Sequence, residues 1–260
     1  DGFKNNPEFA LDCVRAAHEG GASWVVLCDT NGGTLPDLIF DIVQAVKTAL
    51  PDVNLGIHCH NDSGVAVANS LAAIAAGARQ VQGTINGIGE RCGNADLISL
   101  IPTLVLKSDY MTSVSEENLP RLMGLSRLLD ERLGRTPNAH APYVGAAAFA
   151  HKGGLHASAA QKDPRTYEHI PPEKVGNERQ YLVSDQAGRS NMLARFVMLG
   201  IEIDAKDKRI DKLIRVVKEK EFEGWAFDSA EASFELLARR MLDDVPDFFR
   251  IGRFRVMDER

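Results

Sequence analysis

The feature that most constrains the fold is an alternation of short apolar runs with helical patterns in residues 1–108. Strand-like runs cover 23–29, 54–60 and 80–84, and their starts lie 26–31 residues apart, which is the length of a βαβ unit. Each run is followed by residues with the apolar spacing of one buried helical face. Strands that alternate with helices pair in parallel and carry chemistry at their carboxyl ends. The sequence therefore predicts an α/β fold.

Helical patterns surround these strands and continue through the rest of the chain. The predicted helices cover 7–18, 38–49, 65–76, 94–107, 115–134, 206–221 and 229–242, with loops at 135–142, 153–154 and 162–172. Three strands cannot close a parallel barrel, which takes eight, and an open sheet of three would leave long apolar edges. We therefore expect a fragment of a barrel that lacks its first strands.

The composition is that of a soluble globular protein, with 44% apolar and 25% charged residues. A net charge of −6 argues against nucleic acid or an anionic membrane as the main partner. No apolar run approaches the roughly 18–20 residues of a membrane span. The four cysteines form no Cys-x-x-Cys pair, and Cys28 and Cys59 lie in strand patterns where burial is expected. These features predict reduced thiols in the cytoplasm rather than disulfides or a zinc site.

The sharpest local signal is the segment Gly56-Ile-His-Cys-His-Asn-Asp62. Residues i and i+2 of a strand point to the same face, so His58 and His60 are expected side by side at the carboxyl end of a strand. Two neutral imidazoles in that position suit one divalent metal ion. The alternative is a pair of polar strand-end residues that bond to their neighbours.

A glycine-rich loop follows the next strand and is predicted to reach the same rim. Three glycines within 87–93 allow the backbone to wrap closely around a group. Asn94 and Glu90 belong to this loop, and Glu90 is a candidate catalytic carboxylate. Thr30 ends the first strand at the same level, where its hydroxyl would either bind a substrate carboxylate or cap the following helix.

Several long motifs resemble one enzyme family. Residues 27–36, 56–64 and 86–95 are similar to the later barrel strands of the α-isopropylmalate, homocitrate and citramalate synthases. These enzymes belong to the metal-dependent TIM-barrel superfamily that also contains hydroxymethylglutaryl-CoA lyase. The resemblance is greatest to the citramalate synthase members, and it continues through the linker region in the motifs at 149–158, 175–179, 187–191 and 232–237.

The resemblance implies a domain organisation for the chain. The expected fold is the C-terminal part of a TIM (β/α)8 barrel followed by a mainly helical linker and subdomain region. The implied segments are the last three βα units at 1–108, a linker subdomain at 109–200, a helical subdomain at 201–247 and the start of a truncated regulatory domain at 248–260.

The resemblance also implies roles for the residues at the barrel rim. His58 and His60 match the family's two metal-binding histidines, and Asn94 matches an asparagine that is a direct or near ligand. Thr30 matches the threonine that holds the carboxylate of the 2-oxo acid. The family's first-strand Arg-Asp motif, whose Asp completes the metal site, is absent from the sequence, and so is the carboxylate expected to act as general base.

In the linker region, His156 matches a histidine proposed to assist catalysis in the site of the partner subunit of a homodimer. Its alternative is a structural loop histidine, and His151 has a weaker claim to the catalytic role. The implied homodimer would form through this linker region.

The implied reaction is the condensation of acetyl-CoA with pyruvate to give (R)-citramalate and CoA, a cytoplasmic step of isoleucine biosynthesis. Mg²⁺ or Mn²⁺ would suit the site, and Zn²⁺ stays open. Alternatives are a 2-isopropylmalate or homocitrate synthase, a lyase of the same superfamily, and an inactive truncated metal-binding module.

Overall fold

The computed structural model describes two compact units. Unit 1 comprises residues 1–148 and 172–178, and unit 2 comprises residues 149–171 and 179–260. The described residues are 1–183, 188–227, 230–242, 245 and 252–257. Part of the predicted regulatory segment at 248–260 lies outside them, and the four-segment division of the chain stays a prediction. No helix among the described residues is long and apolar enough to cross a membrane.

Unit 1 is built on a sheet of three parallel strands in the order β1-β2-β3. The strands are β1 (Val25–Asp29), β2 (Leu55–Cys59) and β3 (Gln80–Gln82). Its helices are α1 (Gly2–Asn5), α2 (Pro7–Glu19), α3 (Pro36–Ala49), α4 (Ala66–Ala75), α5 (Leu97–Lys107) and α6 (Arg121–Arg132). The register places Cys28, His58 and Gln82 in one row across the sheet.

The core of unit 1 lies on one face of β2. Leu55, Ile57 and Cys59 are all buried there, and they pack with the apolar faces of α3 and α4. Burial, with a smaller effect from Asp29, raises the pKa of the Cys59 thiol to about 12. The expected burial of Cys28 is wrong, because it lies in the row of His58 on the opposite face and is exposed.

Most of the predicted helices of unit 1 are confirmed to within a few residues. The predicted helix at 115–134 is instead divided into a 3₁₀ turn at Glu116–Asn118 and α6. The division falls at Pro120, which occupies the N-cap position of α6 and has no backbone N–H to donate.

In its described residues, unit 2 has a short parallel pair of strands and four α-helices. The strands are β4 (Ala150–His151) and β5 (Gln180–Tyr181), and the helices are α7 (Gly154–Lys162), α8 (Arg189–Met198), α9 (Lys208–Phe222) and α10 (Glu231–Leu242). The sequence predicted α9 and α10, but not α7 or α8. The expected loop at Gly153-Gly154 is the start of α7.

The core of unit 2 forms where α8, α9 and α10 meet. Its fully buried members include Met192, Phe196, Ile210, Leu213 and Phe234. The buried amide of Asn191 on α8 donates to the carbonyl oxygens of His151, Lys152 and Leu182 at 3.1–3.4 Å. This side chain therefore ties α8 to the two strands.

Candidate functional site

The rings of the two histidines at the end of β2 approach each other at an interplanar angle of 63°. The Nε2 atoms of His58 and His60 lie 3.4 Å apart, and their ring centroids are 5.2 Å apart. The Asn94 amide Nδ2 lies 2.9 Å from the Nε2 of His58, while the backbones of His60 and Asn94 form an antiparallel bridge. The structure therefore brings together the three residues that the resemblance assigns to a metal.

The glycine-rich loop wraps around Asn94 itself. A Cβ on Gly89 would collide with Asn94 Oδ1, and a Cβ on Gly93 would collide with the carbonyl oxygen of Gly87. The Asn94 backbone N–H donates to that same Gly87 carbonyl at 3.0 Å. The close wrapping predicted from the glycines is present, and it fixes the position of the Asn94 side chain.

The environment favours a neutral His58. Burial lowers the pKa of the His58 imidazole, His60 lowers it further, and the side chain of Gln82 acts in the opposite direction. Because metal ions bind the neutral form of imidazole, this shift keeps His58 ready to act as a ligand near neutral pH. Sequence reasoning did not single out Gln82. The feature that could have identified it is its pairing with His58 across the parallel strands β2 and β3.

These residues fit part of a metal site. Two nitrogen ligands at about 2.0–2.2 Å from one ion can be up to about 4 Å apart, so the observed 3.4 Å allows both imidazoles to bind one ion. The Nδ1 atoms of both histidines are buried without a hydrogen-bond partner among the described residues. Across all the residues that the structure describes, no group of three or more His, Cys, Asp or Glu residues is arranged to hold a metal ion. Any ion at this position would need further ligands.

Thr30 and Glu90 lie in the loops that follow β1 and β3 of unit 1. Thr30 follows β1 and is exposed, and its carbonyl oxygen accepts a hydrogen bond from Arg91 Nη2 at 2.6 Å. The capping alternative for Thr30 is wrong, since α3 is preceded by Leu35 as its N-cap residue. The Glu90 side chain is 81% exposed, and its Oε2 lies 3.7 Å from Arg91 Nη1.

His156 lies in unit 2, on the exposed side of α7 rather than in a loop. Its ring stacks on that of Tyr167 with a centroid distance of 4.3 Å and an interplanar angle of 30°. Sequence reasoning missed the contact with Tyr167. His156 and Tyr167 are eleven residues apart and the end of α7 lies between them, so no helical or strand period relates the two positions.

His151 has a different environment. It is buried on β4, and its Nε2 lies 3.0 Å from Glu168 Oε1. Arg179 also donates two hydrogen bonds to the Glu168 carboxylate. Burial alone would raise the pKa of Glu168, but Arg179 and His151 outweigh it and hold that pKa below its usual value. The arrangement explains His151 as part of a buried polar network.

Comparison with known protein families matches most of the chain. Residues 1–128 match the HMGL-like family, and residues 143–223 match the family described as homocitrate synthase post-HMGL domain-like. The predicted fold class, the later part of a TIM barrel followed by a mainly helical region, is confirmed.

Individual relatives are similar over nearly the whole chain. An (R)-citramalate synthase of Aquifex aeolicus is 54% identical over 99% of this chain and 48% of that protein. The (R)-citramalate synthase of Synechocystis is 49% identical over 98% of this chain and 48% of that protein. A probable 2-isopropylmalate synthase of Methanopyrus kandleri is 39% identical over 84% of this chain and 43% of that protein. The chain thus spans about half the length of the relatives it matches.

Proposed function

We propose that the chain, whose residues 1–128 match the HMGL-like family, forms the later barrel strands and following subdomain of an (R)-citramalate synthase. In the proposed reaction, the methyl group of acetyl-CoA loses a proton and its carbon bonds to the carbonyl carbon of pyruvate, whose oxygen takes up a proton. Hydrolysis of the thioester by water then gives (R)-citramalate and CoA. The observation that carries the proposal is the approach of His58, His60 and Asn94 at the end of β2. Identity of up to 54% to citramalate synthases supports the choice of product.

We propose that His58 and His60, with Asn94 as a direct or near ligand, hold a divalent ion, either Mg²⁺ or Mn²⁺, with Zn²⁺ as the alternative. When bound, such an ion polarises the carbonyl of the 2-oxo acid and stabilises the negative charge that develops on its oxygen. The fixed position of Asn94 within its glycine loop orders this set before substrate arrives. Thr30, exposed at the end of β1, donates its hydroxyl to the carboxylate of the 2-oxo acid.

We assign two further residues to the proposed site. Glu90 is a candidate acid or base at the exposed rim, since its carboxylate is open to solvent. His156 assists proton transfer in the site of the partner subunit of a homodimer. Its exposed imidazole, braced by Tyr167, supports a role that requires contact with another molecule. We place the enzyme in the cytoplasm, in the biosynthesis of isoleucine.

The second candidate function is 2-isopropylmalate synthesis. The 39% identity to a probable 2-isopropylmalate synthase favours it over other reactions of the superfamily. The two candidates share the acetyl-CoA chemistry and differ in the 2-oxo acid, which is pyruvate for one and 2-oxoisovalerate for the other.

The test is an assay of the natural full-length protein with acetyl-CoA and each 2-oxo acid. We expect CoA release with pyruvate and a loss of about 10³-fold or more in kcat for His58→Ala, because the metal contributes several kcal/mol to transition-state stabilisation. The matched control is His18→Gln, an exposed histidine on α2, which should retain full activity. Turnover with 2-oxoisovalerate alone would establish the second candidate, and full activity of His58→Ala would contradict the proposed site.

A further inference from the structure

The loops that follow the three strands of unit 1 are joined by two main-chain hydrogen bonds. Ser63, after β2, donates its N–H to the carbonyl oxygen of Gly32, after β1, at 3.1 Å. Asn61 donates its N–H to the carbonyl oxygen of Gly93, after β3, at 2.9 Å. A Cβ on Gly32 would lie 2.5 Å from Asp62 Oδ2, so the first two loops touch.

One side chain reaches from the third loop to both of the others. Arg91 donates from Nε to Asp62 Oδ1 at 2.7 Å and from Nη2 to Asp62 Oδ2 at 3.0 Å. The same Nη2 donates to the carbonyl oxygen of Thr30 at 2.6 Å. A planar guanidinium is suited to this pattern because its donors form a rigid fork, which a lysine ammonium lacks.

The backbone of Arg91 is held in an unfavourable conformation. Its φ is +55°, in the left-handed region that residues other than glycine seldom adopt. Such a conformation persists only where the surrounding contacts stabilise it. The three hydrogen bonds of the Arg91 side chain supply such contacts here.

We propose that Arg91 is a positioning residue that clamps the three loops together and thereby fixes Thr30 for binding the carboxylate of the 2-oxo acid. This inference rests on the proposed function. Arg91 acts through the Thr30 carbonyl and through Asp62, and it takes no part in the bond-making steps. The clamp consists of Arg91, Asp62 and Thr30.

The kinetic test uses Arg91→Lys in the natural full-length protein. Lysine keeps the charge but loses the fork, so we expect the KM for pyruvate to rise at least tenfold while the KM for acetyl-CoA changes less than twofold. Asp62→Asn should have the same effect. The double variant should be no more than about twofold worse than either single variant, because both remove one interaction.

Arg209→Lys is the matched control. Arg209 also makes a two-pronged contact with an aspartate, Asp207, and also donates to a backbone carbonyl, that of Leu242, but it lies in unit 2. We expect this substitution to leave both KM values within twofold of wild type. An equal rise in the KM for pyruvate in Arg209→Lys would overturn the assignment to Arg91.

Hydrogen–deuterium exchange tests the clamp without any turnover. In the substrate-free protein, Arg91→Lys should accelerate amide exchange in residues 30–33 and 61–64 at least fivefold, and Arg209→Lys should not. Unchanged exchange refutes the clamp, and faster exchange with an unchanged KM for pyruvate refutes the positioning role. If the wild type turns over neither 2-oxo acid, the proposed function fails, and the exchange result still decides whether Arg91 clamps the loops.

Discussion

His58 and His60 come together because a β-strand directs alternate side chains to one face. Gly56, two residues earlier on the same face, lets the Gln80 side chain approach the backbone closely, since a Cβ there would lie 2.8 Å from Gln80 Oε1. The spacing of the two histidines and their shared face were predictable from the sequence. The glycine-rich loop predicted that Asn94 reaches the same rim, whereas its role beside His58 was implied by the resemblance.

The lowered pKa of His58 predicts how the stability of the metal-free protein depends on pH. The unfolded chain binds a proton at His58 near the ordinary pKa of 6.5, whereas the folded protein binds it only at lower pH. Between these values the unfolded state holds more protons, so the free energy of unfolding falls as the pH drops below about 6.5, by at most about 1.4 kcal/mol per pH unit.

Denaturation in EDTA measures this dependence, with Trp24 as the reporter for unit 1 in a Trp225→Phe background. The slope near pH 6 should be smaller in His58→Gln than in the parent. The same change at the exposed His18 is the matched control. A slope unaffected by His58→Gln would show that this imidazole titrates as it does in the unfolded chain.

At the scale of elements, the Glu168 network predicts the stability of unit 2. The Glu168 side chain is 2% exposed and binds both Arg179 and His151. We expect Glu168→Gln to lower the free energy of unfolding by about 2 kcal/mol at pH 7, because it removes the buried negative charge that pairs with the Arg179 guanidinium. Denaturation followed by Trp225 fluorescence in a Trp24→Phe background measures the change.

The lowered pKa of Glu168 also determines how its contribution to the stability of unit 2 changes with pH. The pKa of Glu168 is lower in the folded protein than its ordinary value of 4.5, so the carboxylate stabilises the fold above pH 4.5 and this contribution is lost as the pH falls further. The difference between wild type and Glu168→Gln should therefore shrink in acid. Glu235→Gln, in a partly exposed i,i+4 pair with Arg239, should cost no more than about 0.5 kcal/mol at pH 7.

The core of unit 2 provides a second prediction for the same unit. Phe234 on α10 is fully buried, with its ring centroid 6.5 Å from that of Phe196 and 6.4 Å from that of Phe227. Phe234→Ala should lower the free energy of unfolding by about 3–5 kcal/mol, since it leaves a cavity. Leu236→Ala on the same helix is the control, because Leu236 is 54% exposed and its loss should cost about 0.5 kcal/mol or less. Equal effects in the two variants would contradict the packing of α10.

The elements that sequence reasoning predicted and those it missed differ in their patterning. The helices α3 and α9 carry regular apolar stripes, whereas α7 begins at a Gly-Gly pair and contains mostly small residues. No buried face could be identified in α7 from its sequence. Strands β4 and β5 have two residues each, too few for any period.

At the scale of the whole molecule, the family resemblance predicted the domain organisation and the roles of the site residues, which the periodicity of apolar residues could not predict. Parallel strands and their helices followed from the spacing of apolar runs. The burial of Cys28 was predicted wrongly, because a single strand pattern does not show which face the helices cover. Two compact units, with one polar cluster at the end of β2 and one around Glu168, follow from contacts between residues that are distant in the sequence.

The central claim is that His58 and His60 bind the same metal ion, and pulsed EPR of the Mn²⁺-loaded natural protein tests it most directly. The account predicts coupling of the Mn²⁺ spin to two imidazole nitrogens in the wild type and to one in either His58→Gln or His60→Gln. His18→Gln should retain both couplings. Spectra without imidazole nitrogen coupling, or with couplings that neither substitution alters, would contradict the account.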